Sequence, residues 1–446
     1  MENQLQRKLT LYGLTMIAVG SCIGSGIFVT PGQIAGAVPN ATLVLAVWAL
    51  GGVIALTGAL TFAELGGMFP KSGGVYVFLK EAYGDLAGFL YGWAVLLVIN
   101  TGALAGLCVA FAEYMKIFVP GMEESGKTAI AAATMIVLTA VNALGVNVSQ
   151  GLANFFTGLK LASIAAIIVA GFVFFDTSQV QLDFSLAQNV PANLTNAMLT
   201  GLIGVLFSIG GWHHASYVAG EAIDAKRTVP RAMFLGVVIV TVTYLLVNLA
   251  YMMMLPLGDI AKTKTVAGDA VATLVSWGGK AVAIAIALSI FGTISIYTMS
   301  APRIYFAMAE DGIFFKKLAE VHPRWHTPVW AMLAQVVWAL AVLLFFRGLF
   351  DEIITFVTFT DIAFMGLAGA SIFIFRKKRP AAERSVRAWG YPVVPVIFVV
   401  ISAAFAFNTL MEKPGEALPG LGVLVLGVCV FLVLKRKRRR KAGGSA

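Results

Sequence analysis

The chain has 446 residues, of which 59% are hydrophobic and only 12% charged, with a mean hydropathy of +0.87. A soluble domain carries about 25% charged residues, so this composition excludes a soluble enzyme and points to a bilayer. The net charge of +10 sits in loops between apolar stretches, so it reads as topology and not as a nucleic-acid surface.

Twelve stretches are apolar enough to span: residues 11–37, 41–68, 84–118, 127–146, 150–175, 194–222, 230–256, 267–309, 328–346, 352–376, 391–411 and 418–434. The third and eighth run long and are expected to tilt or to project past the membrane. The first is too long for the h-region of a cleavable signal, roughly 7–15 residues. Most of the 32 Lys and Arg fall on one side, including Arg376-Lys377-Lys378-Arg379 and the tail from Lys435 to Lys441. The other side keeps Lys116, Lys127, Lys262, Lys264, Arg347 and Lys413. The positive-inside rule then puts both termini in the cytoplasm.

The first span is interrupted by Gly20-Ser21-Cys22-Ile23-Gly24-Ser25-Gly26-Ile27-Phe28. Glycine is a poor helix former and tolerates unusual backbone angles. Unwound backbone at membrane depth is tolerated only where protein or a cavity receives it. In the second span Glu64 near the cytoplasmic end fits either a gate or an interfacial charge. Asn40-Ala41-Thr42 and Asn193-Leu194-Thr195 match a glycosylation sequon but hug span ends and carry little weight. Cys22, Cys108 and Cys429 all lie in apolar spans and suggest neither a disulfide framework nor a metal site.

Lys160 lies about ten residues into the fifth span, where an ionisable group is a functional candidate by default. It reads as a fixed cation beside the first break or as a proton site; the alternative is a snorkelling lysine. The sixth span carries the second break, Ser208-Ile209-Gly210-Gly211-Trp212, directly after Phe207. Phe207 is placed to close over a ligand, although most aromatics in a span simply pack. His213 and His214 follow; their ring directions differ by about 100° on a helix, so one metal is not expected between them. They are candidates for the side-chain end of a pocket. In the eighth span Ser289 and Thr293 share a face and can reach Lys160, a substrate or their own helix. Asp361 in the tenth span, near Thr358 and Thr360, either faces the substrate, carries a proton or makes a packing hydrogen bond. Gly443 to Ala446 are expected to be disordered.

The breaks lie five spans apart. Five is odd, so the second set of five enters the bilayer inverted, and paired breaks in inverted repeats point to a transporter site. The expected division is residues 1–10 as a cytoplasmic segment, 11–175 and 194–376 as the two repeats, 391–434 as two extra helices and 435–446 as a basic tail. A half-helix N-terminus attracts an anion and the opposing carbonyls attract a cation. A zwitterion fits: its carboxylate on the amides of Ser25, Gly26 and Ile27, its ammonium on the carbonyls of Cys22, Phe207 and Ser208. A channel would need a continuous lined pore. A membrane enzyme would need a catalytic constellation, which the sequence lacks.

Several motifs in order resemble the amino acid–polyamine–organocation superfamily, and within it the L-type amino acid transporter branch. They are Ile23-Gly24-Ser25-Gly26-Ile27-Phe28-Val29-Thr30-Pro31, then Ala63-Glu64-Leu65-Gly66-Gly67-Met68-Phe69-Pro70-Lys71-Ser72-Gly73-Gly74 with Tyr76, and Val229-Pro230-Arg231-Ala232. Ala307-Met308-Ala309-Glu310-Asp311-Gly312, His322-Pro323, Thr327-Pro328 and Trp389-Gly390-Tyr391-Pro392 continue the match. The resemblance implies an all-α membrane protein of twelve transmembrane helices. Its LeuT-like five-plus-five inverted repeat would have broken helices one and six and two added helices. It implies sodium-independent amino acid transport, with Ser25 and Gly26 on the carboxylate, Phe207 as gate and Lys160 in place of sodium. The combined expectation is an exchanger of small neutral L-amino acids in the inner membrane of a bacterium, without cofactor, metal or nucleic-acid partner. Proton-coupled symport and a cationic amino acid or polyamine carrier are the alternatives. Val75 departs from an often acidic position, and His213-His214 from the more usual Asn or small polar residues. The loop from Pro120 to Gly126 has no cysteine, so a disulfide-linked accessory subunit is not expected.

Overall fold

The computed structural model describes residues 4–175, 182–186, 188–263, 265–345, 350–412 and 414–443. Lys264, Arg347, Lys413 and Ser445, with its neighbours Gly444 and Ala446, lie outside the described residues. The helices in chain order are α1 (Leu11–Cys22), α2 (Gly26–Ala37), α3 (Ala41–Met68), α4 (Val75–Tyr83), α5 (Asp85–Ala94), α6 (Asn100–Met115), α7 (Glu124–Ala143) and α8 (Val146–Val173). There follow α9 (Leu194–Ile209), α10 (His214–Tyr217), α11 (Ala225–Met254), α12 (Leu257–Ile260), α13 (Val266–Ala272), α14 (Gly278–Ser300) and α15 (Pro302–Glu310). The last are α16 (Val329–Phe345), α17 (Phe350–Lys378), α18 (Val393–Glu412) and α19 (Pro414–Gly443). Among the described residues nine helical spans are long and apolar enough to cross a membrane, and α1 with α2 makes a tenth, bent by 45°. No sheet forms among them; one isolated bridge joins Leu9 to Ala222. The architecture is an all-α, multi-span membrane fold.

Local chemistry sets the helix ends. Thr10 caps α1 by accepting from the Gly13 N–H, and Asn40 caps α3 by accepting from Leu43. Asn193 caps α9 through Asn196, so both sequon asparagines are helix caps. Pro230 lies inside α11 and cannot donate to the Lys226 carbonyl four residues back. The Ser385 hydroxyl donates to that carbonyl instead, at 2.6 Å.

Three readings of the chain change. The eighth stretch is not one long rod: α13 and α14 are separated by a turn near Gly278, and Pro302 starts a new helix, α15. The segment after the second span is not a plain loop but the amphipathic α4. The final helix continues through the basic run to Gly443, a residue expected to be disordered.

One face of the bundle, that of the N-terminal segment, is tied shut by polar contacts. The backbone N–H groups of Lys8 and Leu9 donate to the Glu221 carbonyl at 2.8 and 2.9 Å. Arg303 and Glu221 form a fully buried bidentate pair, Nε–Oε2 2.8 Å and Nη2–Oε1 2.9 Å, and the guanidinium also donates to the Met299 carbonyl. Tyr91 and Tyr217 share a hydrogen bond of 2.6 Å. Glu64, open above between gate and interfacial charge, is fully buried. It accepts from Arg376 at 2.7 and 2.6 Å, from Arg384 at 2.9 Å and from the Ala388 N–H at 2.7 Å. It therefore welds α3 to α17 and to the segment that follows it.

A buried pair is costly to break on one side only, about 3–5 kcal/mol, whereas replacing both partners can be neutral. Glu221→Leu or Arg303→Met alone should therefore lower the thermal melting of the detergent-solubilised protein by several degrees. The double variant should recover most of that loss. Additive losses in the double variant would show that the pair is not coupled.

Candidate functional site

The two predicted breaks are present and they touch. Helix α1 ends at Cys22, with Ile23 at φ −79°, ψ 87°, and α2 resumes at Gly26. Ser25, at the start of α2, makes no side-chain cap. Among the described residues no hydrogen bond ties the N–H groups of Ser25, Gly26 and Ile27. The first turn of α2 thus presents free donors, as a half-helix N-terminus should. Helix α9 ends at Ile209; Gly210 is extended and Gly211 has φ +113°, a conformation that favours glycine. A Cβ on Gly211 would stand 2.7 Å from the Ser21 carbonyl oxygen.

Four contacts lock the breaks together. The Ser21 hydroxyl donates to the Gly211 carbonyl at 2.7 Å. The hydroxyls of Thr30 and Ser208 lie 2.9 Å apart. Tyr244 on α11 donates to the Cys22 carbonyl at 3.3 Å and to the Ser208 carbonyl at 3.1 Å. Two of the three carbonyls assigned to a substrate ammonium therefore already accept from Tyr244, and that of Cys22 also accepts from the Gly24 N–H at 3.0 Å. Sequence reasoning missed Tyr244, because nothing local distinguishes it from a packed aromatic in an apolar helix.

Lys160 on α8 is buried behind the first break. Its Nζ donates to the carbonyls of Gly20 and Ile23 and to Thr293 Oγ1, each at 2.8 Å. Thr293 also donates within 3.1 Å of the same two carbonyls, and Ser289 reaches Ile23 and Gly24 at 3.3 and 3.4 Å. An ammonium, two hydroxyls and three carbonyls so form one cluster. The snorkelling alternative is excluded by that geometry. Ile23 turns its carbonyl to this cluster and, like Ile27, has a fully buried side chain.

In front of the breaks lies a cavity of about 210 Å³. Cys22, Gly24, Ser25, Gly26, Phe207, Ser208, Gly210, His213, His214, Thr293 and Asp361 all line it. Its other walls come from residues 95–99, from α6 and from α14. Phe207 is 44% exposed, so packing does not hold it in place. The rings of His213 and His214 sit 5.1 Å apart, and His214 Nδ1 is 2.7 Å from Ser300 Oγ. No group of three potential metal ligands occurs among the described residues. Asp361 Oδ1 is buried without a hydrogen-bond partner. Residues 95–99 are π-helical, a distortion often found at functional sites. Asn100, which closes that stretch, lines the cavity too and was not foreseen.

Gly26 is needed for more than ligand access. A Cβ there would lie 2.7 Å from Ser208 Oγ and 3.1 Å from Ser208 Cα. Gly26→Ala should push the breaks apart and cut transport by at least about tenfold, the effect of roughly 1.4 kcal/mol of lost site geometry. Adding Ser208→Gly removes the shortest contacts and should restore part of the rate. Wild-type transport by Gly26→Ala alone would show that the close approach is dispensable.

Comparison with known proteins agrees with this geometry. The family described as amino acid permease matches residues 9–433. The chain is 29% identical over 452 residues to the serine/threonine exchanger SteT of Bacillus subtilis (strain 168), covering 98% of this chain and 99% of that protein. It is 31% identical over 420 residues to the human b(0,+)-type amino acid transporter 1, covering 92% and 84%. It is 29% identical over 445 residues to the mouse Asc-type amino acid transporter 1, covering 96% and 81%. A match over nearly the whole length, on a fold with two touching helix breaks, means that the chain belongs to the amino acid permease family, a transporter family and not an enzyme family, within the amino acid–polyamine–organocation superfamily.

Proposed function

We propose that the chain is a sodium-independent exchanger of small neutral L-amino acids that works by alternating access in the cell membrane. The observation that carries this reading is Lys160: its ammonium occupies the oxygen cluster of Gly20, Ile23 and Thr293. A sodium ion would need such an oxygen cluster for itself, so a built-in cation removes the need for one. The free amides of Ser25, Gly26 and Ile27 suit the substrate carboxylate; the carbonyls of Phe207 and Ser208 suit its ammonium, whereas that of Cys22 already accepts from Gly24 and Tyr244. Phe207 is read as the gate. His213, His214 and Asp361 shape the side-chain end.

The reading extends to topology. Twelve spans in a LeuT-like five-plus-five inverted repeat, 11–175 and 194–376, with 391–434 as the added pair, put both termini in the cytoplasm. Exchange in relatives such as the Bacillus serine/threonine exchanger supports exchange here. The tied face at Glu221, Arg303 and Tyr217 would then be the inner one, with the cavity reached from outside. Opening the inner face requires those contacts to part.

Two experiments check the reading in proteoliposomes. Uptake of labelled alanine should rise several-fold when the vesicles hold unlabelled amino acid and should not change when choline replaces sodium. Sodium-dependent uptake would remove the role given to Lys160; uptake driven by a pH gradient into empty vesicles would turn the protein into a proton symporter. Lys160→Ala removes charge-assisted hydrogen bonds worth about 1.5–3 kcal/mol each and should slow exchange at least about tenfold. Separately, amino acid amides and decarboxylated amines should compete far more weakly than the parent amino acid. Equal competition by an amine would dismiss the amides of Ser25 and Gly26 as the carboxylate site.

A further inference from the structure

A regular α-helix pairs each N–H with the carbonyl four residues back. In the third span that ladder slips: the Asn100 N–H donates to the Val95 carbonyl, five residues back. A π turn of this kind holds one residue more than the α-helix around it, and its carbonyls fall out of step with the donors that follow. In hydrocarbon such carbonyls have no water to turn to. Here side chains supply donors. Thr101 Oγ1 donates to the Leu96 carbonyl at 2.8 Å, from within the same span. Trp338 Nε1 donates to the Leu97 carbonyl, also at 2.8 Å, from α16.

The second donor comes from outside the cavity. No described residue of α16 lines it. Trp338 is 40% exposed and Val337 beside it 64%, so this flank of α16 faces lipid. One turn earlier the same helix also grips the cavity wall: Gln335 Nε2 donates to the carbonyl of Tyr297, a lining residue, at 3.3 Å. Val95 and Ile99 of the bulge line the cavity, and so do Ala103, Gly106 and Leu107 on α6 beyond it. Closing the bulge into regular α-helix would turn one part of the span against the other by about 100°, the rotation of one residue. The stripe that begins at Ala103 would then leave the cavity wall. We propose that Trp338 is a positioning residue for transport: its indole N–H holds the bulge from the lipid side and so keeps the Ala103 stripe turned towards the substrate. This rests on the reading of the cavity as the substrate site.

Trp338→Phe keeps an aromatic ring and loses the donor. In proteoliposomes it should raise the KM for labelled alanine at least about threefold, the effect of one lost hydrogen bond. Trp330→Phe, at a tryptophan of similar exposure on the same helix, should leave KM unchanged. Register is read separately, in detergent-solubilised protein whose Cys22, Cys108 and Cys429 are replaced by alanine. There the thiol of Ala103→Cys should react with a water-soluble methanethiosulfonate, and alanine should protect it. Adding Trp338→Phe should slow that reaction several-fold, because the thiol turns away from the cavity; general loosening of the fold would speed it instead. An unchanged KM in Trp338→Phe, or an equal rise in Trp330→Phe, overturns the proposal. So does a reaction at residue 103 that Trp338→Phe leaves unchanged or speeds. If Trp338→Phe slows the reaction but alanine gives no protection, the hold on the bulge stands and the reading of the cavity as the substrate site falls.

Discussion

An interrupted backbone inside hydrocarbon must find its partners within the protein, and the rest of this structure depends on how that is met. Water cannot satisfy the carbonyls that α1 leaves open at Gly20 and Ile23. The ammonium of Lys160 and the hydroxyl of Thr293 do so from two other helices. The arrangement is reciprocal, because a buried ammonium is as costly alone as the carbonyls are. Each defect makes the other tolerable. With the rear of the break held in this way, its front is free to offer unpaired amides to a ligand.

The second break adds a constraint of shape. Gly26 and Gly211 allow two backbones to approach to a distance that any Cβ would prevent. Tyr244 then bridges the carbonyls of Cys22 and Ser208 across that approach. A single side chain so senses the relative position of the two broken helices. The opposite face is held by different chemistry, with carboxylates at Glu64 and Glu221 buried under arginines. One face of the bundle is thus fastened by full charges, while the centre is joined by dipoles and a lone ammonium.

Much of this was legible in the chain. The glycine runs, the depth of Lys160 and the i, i+4 spacing of Ser289 and Thr293 each carry local signals, and the structure gathers the last three into one cluster. What was not legible depends on long-range pairing. Glu64 could not be distinguished from an interfacial charge because its partners, Arg376, Arg384 and Ala388, lie more than three hundred residues away in sequence. Tyr244 and Asn100 gave no pattern, since one polar atom in an apolar helix has no periodicity. The division of the eighth stretch was signalled by Gly278 and Pro302, but its hydropathy is continuous and hid the breaks. The roles of His213 and His214 rest on their position in the cavity wall.

The clamp on α1 also has a consequence in time. The Lys160 contacts join residues 140 and 137 positions apart, and Thr293 reaches Gly20 across 273. The ribosome makes α1 well before its partners. During synthesis the first span therefore has open carbonyls and no protein group to receive them. It must wait near polar surroundings, at the lipid headgroups or inside the insertion machinery, until the fifth and eighth helical spans emerge. For this fold, membrane insertion and tertiary assembly overlap, and α1 reaches its final place only after helices made much later.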